Sequence, residues 1–128
     1  TNPLCQQRAA HGFMAAHDIR HQAWAPLGAG AAGVLDSPVI CGIAERVGKT
    51  PAQVVLRWLL EREIVVLAKS THEERMAQNL DVFDFSLTPG DHAAIEALDR
   101  GRGTFIDPAD PATIDFFRPL VEERRGLL

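Results

Sequence analysis

Residues 64–79 of the chain read IVVLAKSTHEERMAQN, and this stretch decides the fold. Its first five residues are all apolar and three of them are β-branched, a composition typical of a parallel strand that is buried on both faces. Lys69 and Ser70 end the strand, and the tetrad Thr71-His72-Glu73-Glu74 predicts a capping box that begins a helix through Asn79. A strand that leads directly into a helix indicates a βα unit of an α/β protein with a parallel sheet.

The residues on either side of this stretch continue the alternation of strand and helix. Residues 19–25 predict a second strand that ends at Pro26-Leu27-Gly28, and residues 28–33 are a loop of small residues. The apolar residues of 6–16 fall on one helical face and predict a helix there. Ser-Pro and Thr-Pro start signals, with a glycine stop signal at Gly48, predict further helices over residues 38–47, 51–61 and 88–98. Two strands cannot complete a parallel sheet, so we expect the chain to form a single partial domain.

The composition is that of one soluble globular unit, with 128 residues of which 46% are hydrophobic and 23% charged. This composition excludes a disordered chain, and no stretch is long and apolar enough for a transmembrane helix. The net charge of −4 argues against binding to nucleic acid or to anionic lipid through a general basic surface. Beyond Arg100 glycine and proline are frequent, so we expect residues 101–128 to be a C-terminal tail in which turns outnumber regular structure.

The cysteine, histidine and tyrosine counts limit the chemistry. Cys5 and Cys41 follow no metal or redox spacing, which indicates reduced thiols in a cytoplasmic protein. His17 and His21 have helical spacing but fall in two different elements, so no metal site is expected there. The chain contains no tyrosine and its first methionine is Met14, and we therefore expect a fragment of a longer protein.

Lys69, Ser70 and Arg75 form the clearest candidate site, because they lie where a strand leads into a helix. Backbone N–H groups and the helix dipole favour anions at that position. A lysine charge, a serine hydroxyl and a guanidinium suit a phosphate monoester, and Asn79 lies on the same helical face as Arg75. The alternative is that Ser70 merely caps a helix and that the two cations are solvated surface charges. Trp24 likewise has two interpretations, a ring that stacks on a flat ligand or, by default, a core residue.

These residues, together with four other segments, resemble the aldo/keto reductase family, and in particular bacterial reductases of the 2,5-diketogluconate reductase and prostaglandin F synthase type. The similarity extends over nearly the whole chain, and its matching segments are residues 1–7, 23–28, 48–58, 67–79 and 81–87. The resemblance implies that the chain is the C-terminal part of a (β/α)₈ barrel, with its last two strands, from an enzyme that reduces aldehydes or ketones with NADP(H).

The resemblance also implies a role for each matching residue. Trp24 would stack on the nicotinamide, and the loop with Ala25, Leu27 and Gly28 would lie along the pyrophosphate. The adenosine 2′-phosphate and the adenine would be held by the residues that follow the second strand, which are Lys69, Ser70, Arg75, Gln78 and Asn79.

The catalytic residues that the resemblance implies are a tyrosine, a lysine, an aspartate and a histidine, and none of them can be assigned in this sequence. We therefore expect half of a cofactor site and no activity from the chain alone. One alternative is a non-enzymatic half-barrel module that associates with itself or with a complementary half through its open edges. Another is a helical DNA-binding protein, because residues 49–58 look like a recognition helix, but the acidic net charge argues against it.

Overall fold

The structure, a computed structural model, describes residues 1–30, 33–101 and 112–125. Part of the predicted small-residue loop, residues 31–32, lies outside the described residues, as do residues 102–111 and 126–128 of the predicted tail.

Two short strands form the sheet. β1 (Gln22–Trp24) pairs in parallel with β2 (Val65–Leu67), and the register places Gln22 opposite Val65 and Trp24 opposite Leu67. Between these pairs Ala23 is fully buried. Because the strands are parallel, their carboxyl ends lie at the same edge of the sheet. The prediction of βα units in a parallel sheet is confirmed, although β1 is shorter than the predicted strand over residues 19–25.

The described part of the chain also contains six helices. They are α1 (Arg8–Ala16), α2 (Pro38–Val47), α3 (Pro51–Glu61), α4 (Glu73–Leu80), α5 (Pro89–Glu96) and α6 (Ala112–Arg125), and a short 3₁₀ turn covers Gly28–Gly30.

The helix boundaries follow the sequence signals closely. The side chains of Thr50 and Thr88 each accept a hydrogen bond from the backbone N–H of the third helical residue. The side chain of that residue, Gln53 or Asp91, accepts one in turn from the threonine N–H, so both are complete capping boxes. α2 ends at Gly48, whose φ of 67° is the left-handed conformation that glycine adopts without strain. Ser37 precedes α2 as predicted, but its side chain makes no capping hydrogen bond.

The core lies between the sheet and helices α2, α3 and α5. Trp58, Leu59 and Val55 of α3 are fully buried at its centre. Ile40 of α2 and Ile95 of α5 complete it from the neighbouring helices. α3 also contacts β2, so the strand lies directly on the core helix.

Three predictions were wrong. β2 is not covered on both faces, because Val65 and Leu67 are 41% and 51% exposed, and within the described residues only the face with Ile64 and Val66 packs on the core. The predicted capping box at Thr71 does not form, since His72 is the residue that precedes α4 and it makes no side-chain cap. The predicted tail contains regular structure, because residues 112–125 form α6.

Candidate functional site

The two strands end side by side at one edge of the sheet. Trp24 is the last residue of β1, and it pairs in register with Leu67, the last residue of β2. The loop after β1 and the Lys69-Ser70 segment after β2 therefore leave the sheet at the same edge. Open α/β folds bind ligands at the carboxyl ends of their strands. The structure thus brings the two parts of the predicted site together.

The loop after β1 makes a tight turn. The Gly28 N–H donates a hydrogen bond to the Ala25 carbonyl oxygen at 3.0 Å, and Gly28 has a φ of 77°. Ala25 has a φ of 48°, a left-handed conformation that is costly for a residue with a Cβ. Leu27 is half-buried and packs against the core. Such an irregular backbone at a strand end is often found at ligand sites.

Lys69, Ser70 and Arg75 follow β2 at the entrance to α4. The Ser70 hydroxyl oxygen accepts a hydrogen bond from the His72 N–H at 3.1 Å, so Ser70 shapes the turn before the helix. Lys69 and Arg75 are exposed, and neither forms an ion pair within the described residues. Two unneutralised cations beside a helix N-terminus favour an anion.

The far end of α4 is held by a polar network. Lys49 Nζ donates to Asp81 Oδ2 at 2.8 Å and to Asp84 Oδ2 at 2.7 Å, and these hydrogen bonds raise the pKa of Lys49. Gln53 Nε2 donates to the Asp81 carbonyl oxygen at 2.8 Å. Since Lys49 lies two residues before α3 and Gln53 lies in its first turn, this network ties the position of α4 to the core.

Asn79 lies one turn after Arg75 on α4 and is half-buried, whereas Gln78 is exposed. Asn79 lines a groove of about 360 Å³ between α3, β2 and α4. Its other lining residues are mainly apolar: Leu56, Leu60, Val66, Ala68, Met76, Leu80, Val82 and Phe83. The sequence analysis did not identify this groove, although Met76 and Leu80 at helical spacing on a polar helix were a signal for it.

Trp24 is not a core residue, which corrects the default interpretation. Its side chain is 69% exposed at the end of β1, whereas the chain's other tryptophan, Trp58, is fully buried. The alternation along a strand explains the exposure, because Ala23 occupies the face that packs on the core and Trp24 takes the other face.

The family model of the aldo/keto reductases matches residues 1–100. The chain belongs to the aldo/keto reductase family. It is 44% identical to "Methylglyoxal reductase DkgA" of Escherichia coli over 107 residues, which are 84% of this chain and 39% of that protein. An "Aldo-keto reductase" of Mycolicibacterium smegmatis is 44% identical over 115 residues, or 90% of this chain and 40% of its own length.

Solved structures of aldo/keto reductases match the fold. A crystal structure of a Gox0644 mutant in complex with NADPH is 47% identical, with a TM-score of 0.76, and the match covers 80% of this chain and 38% of that chain. An aldo-keto reductase from a Medee basin deep-sea metagenome library gives a TM-score of 0.81 at 35% identity, covering 86% of this chain and 41% of that one.

These matches confirm that the fold is a portion of the (β/α)₈ barrel of the aldo/keto reductases. The chain spans about two fifths of the length of the curated relatives it matches. None of the helices formed by residues 1–30, 33–101 and 112–125 combines the length and the apolar character of a membrane span.

Proposed function

We propose that this chain forms the adenosine 2′-phosphate side of an NADP(H) site in an aldo/keto reductase that reduces aldehydes or ketones. The observation that carries the proposal is the juxtaposition at one sheet edge of the exposed Trp24 ring with the unpaired charges of Lys69 and Arg75. The NADPH complex of a relative that is 47% identical supports the choice of cofactor.

The residues after β2 fit the phosphorylated end of this cofactor. Lys69 and the guanidinium of Arg75 offer charge-assisted hydrogen bonds to a 2′-phosphate, and Ser70 adds a hydroxyl and a backbone N–H. Asn79 and Gln78 continue along α4 and carry amide groups that suit the edge of the adenine. Glu73 and Glu74 occupy the first turn of α4 and so lower the net charge near the site.

The residues after β1 fit the rest of the cofactor. The exposed indole of Trp24 offers a flat face on which the nicotinamide can stack. The turn with Ala25, Leu27 and Gly28 brings backbone close to the sheet edge, where it can follow the pyrophosphate.

Bound NADPH would supply the hydride for carbonyl reduction. The chain contains no tyrosine, so the tyrosine acid that the family resemblance implies is not among its residues, and we assign it no catalytic residue. Its proposed part is to bind and orient the cofactor. Cys5 and Cys41 are free cysteines, which supports a cytoplasmic location. We propose a small carbonyl compound as the substrate, and neither a nucleic acid nor a membrane as a partner.

The test is a titration with NADPH and NADH while tryptophan fluorescence is recorded. Quenching should come from Trp24, so Trp24→Phe should abolish it and Trp58→Phe should not. Arg75→Ala should weaken NADPH binding by about 10- to 150-fold, which corresponds to a charge-assisted hydrogen bond of about 1.5–3 kcal/mol, and should leave NADH binding unchanged.

Arg20→Ala is the matched control, because Arg20 is also an exposed arginine but precedes the amino end of β1, away from the site. Equal losses for NADPH and NADH in Arg75→Ala would contradict the proposed phosphate contact. NADPH consumption with a generic aldehyde, measured on the same sample, should be absent. Turnover by this chain would show that it carries catalytic residues that we do not assign.

A second candidate function, that of a half-barrel interaction module, is favoured by the open sheet. Val65 and Leu67 of β2 are exposed, and Leu80 and Phe83 beside the groove are 73% and 72% exposed. Unpaired strand edges and exposed apolar side chains promote association with a second copy or with a complementary half-barrel. Size-exclusion chromatography over a range of concentrations tests self-association, and a compact monomer at every concentration would count against it.

A further inference from the structure

A buried histidine outside the proposed cofactor site faces a second histidine. His21, which directly precedes β1, is 7% exposed, and its Nε2 lies 2.8 Å from the hydroxyl oxygen of Thr1. Its Nδ1 lies 3.1 Å from Nδ1 of His11 on α1. The sequence analysis considered only His17 beside His21 and expected no metal site between them, and in the structure the His17 ring bonds to the Phe13 carbonyl oxygen on the helix itself. The amino end of β1 is therefore where two imidazoles meet.

The surroundings leave room for a small ion. A pocket of about 140 Å³ is lined by both rings and by Asp18 and Glu63. Arg20 lines the same pocket, so one cation opposes the two carboxylates. Within the described residues no three metal-ligating side chains come together, so this site offers two imidazoles as its protein ligands.

We propose that His11 and His21 form a two-imidazole site for a borderline divalent cation of the zinc and copper class. Metal–nitrogen bonds of about 2.0–2.1 Å place two ligands on one ion about 2.9 Å apart at a right angle and about 3.4 Å apart at the tetrahedral angle. The Nδ1 separation of 3.1 Å lies between these limits. An ion bound to both nitrogens would therefore leave their separation, and with it the position of α1, nearly unchanged.

Nε2 of His21, the ring nitrogen that would not bind the ion, already has an oxygen partner. Metal-bound histidines usually donate their other N–H to an oxygen, which fixes the ring, and Thr1 Oγ1 stands where that acceptor is needed. Water would fill the remaining coordination positions.

The test is a titration of the chain with Zn²⁺ and then with Cu²⁺, using an amino terminus that is acetylated so that the Thr1 amine cannot act as a ligand. Ring NMR signals follow the Zn²⁺ titration, and paramagnetic broadening follows Cu²⁺. The signals of His11 and His21 should change together with a stoichiometry of one ion per chain, and Cu²⁺ should bind more tightly than Zn²⁺. The ring signals of His72 and His92 serve as internal references.

His11→Asn should weaken binding by more than about tenfold, because loss of even an outer-shell partner of a metal site costs about 10- to 100-fold. His11 is on a helix with no buried residues, so this variant should keep the fold, as circular dichroism can verify. His17→Asn is the control and should bind like the unaltered chain. Equal affinity of His11→Asn and the unaltered chain, or the absence of any change at His21, would overturn the proposal.

Discussion

Replacing Leu59 by alanine should strongly destabilise the fold, because this side chain of α3 is fully buried in the core beneath the sheet. The removed methyl groups and methine carbon are worth about 2–2.5 kcal/mol as hydrophobic transfer, at about 0.8 kcal/mol for each carbon. The cavity that remains adds to this cost, so the free energy of unfolding should fall by about 3–5 kcal/mol. With a urea m-value near 2 kcal/mol/M, the denaturation midpoint should fall by about 1.5–2.5 M.

The assay is urea denaturation followed by the emission of Trp58, a buried neighbour of Leu59 on α3. Leu80→Ala is the matched control, because it removes the same atoms from a side chain that is 73% exposed, and it should cost less than about 0.5 kcal/mol. If Leu59→Ala unfolds the chain without urea, Ile43→Val, at a buried position of α2, should cost about 0.5–1.5 kcal/mol. Equal losses from Leu59→Ala and Leu80→Ala would refute the packing described for α3.

Three further predictions concern the helix ends. Thr50→Ala should lower the free energy of unfolding by about 1 kcal/mol, since it removes a capping box. Thr71→Ala should change the free energy of unfolding by less than about 0.5 kcal/mol, because Thr71 caps no helix. Thermal denaturation of both variants measures the difference. Gly48→Ala should cost about 1–2 kcal/mol from the left-handed φ of 67° alone, because nothing lies within 4 Å of the added Cβ, and Gly48→Asn should lose less. Burial alone would raise the pKa of Asp91, but hydrogen bonds from Thr88 and Arg46 outweigh it and hold that pKa below the usual value of 3.8. The stability that this carboxylate contributes should thus be fully present above about pH 4 and lost as the pH falls through the lowered pKa. Asp91→Asn should remove this part of the acid dependence, which urea denaturation at a series of pH values measures.

The local signals in the sequence predicted the helices well. α2, α3 and α5 begin at the residues that their Ser-Pro and Thr-Pro signals indicated, because a proline at the first helical position and, for α3 and α5, a capping threonine act within one turn of the helix end. The same reasoning failed at Thr71, where the Ser70 hydroxyl forms a turn with the His72 N–H and α4 begins one residue later than the predicted box requires. It also failed in the tail, where the helix-forming residues of α6 follow a segment rich in glycine and proline.

The candidate site was predictable in part. Lys69, Ser70, Arg75 and Asn79 are close in sequence, so one strand end and one helix place them together. Their exposure and the groove beside Asn79 were not predictable, because they depend on α3 and on the network that anchors α4. The pairing of His21 with His11 was missed for a similar reason, since α1 returns beside the start of β1 only when the chain is folded.

The sequence by itself determined the family, the order of strands and helices and the capping boxes at Thr50 and Thr88, and it led to the proposal of a phosphate site after β2. Each of these depends on torsional preferences, hydrogen bonds and charge within a few residues. Only the tertiary structure decided that Trp24 is exposed, that β1 and β2 pair in the register that joins the two halves of the site, and that His11 meets His21. The first two features depend on which distant side chains share the core, and the third depends on α1 lying beside the start of β1, so no local preference fixes any of them.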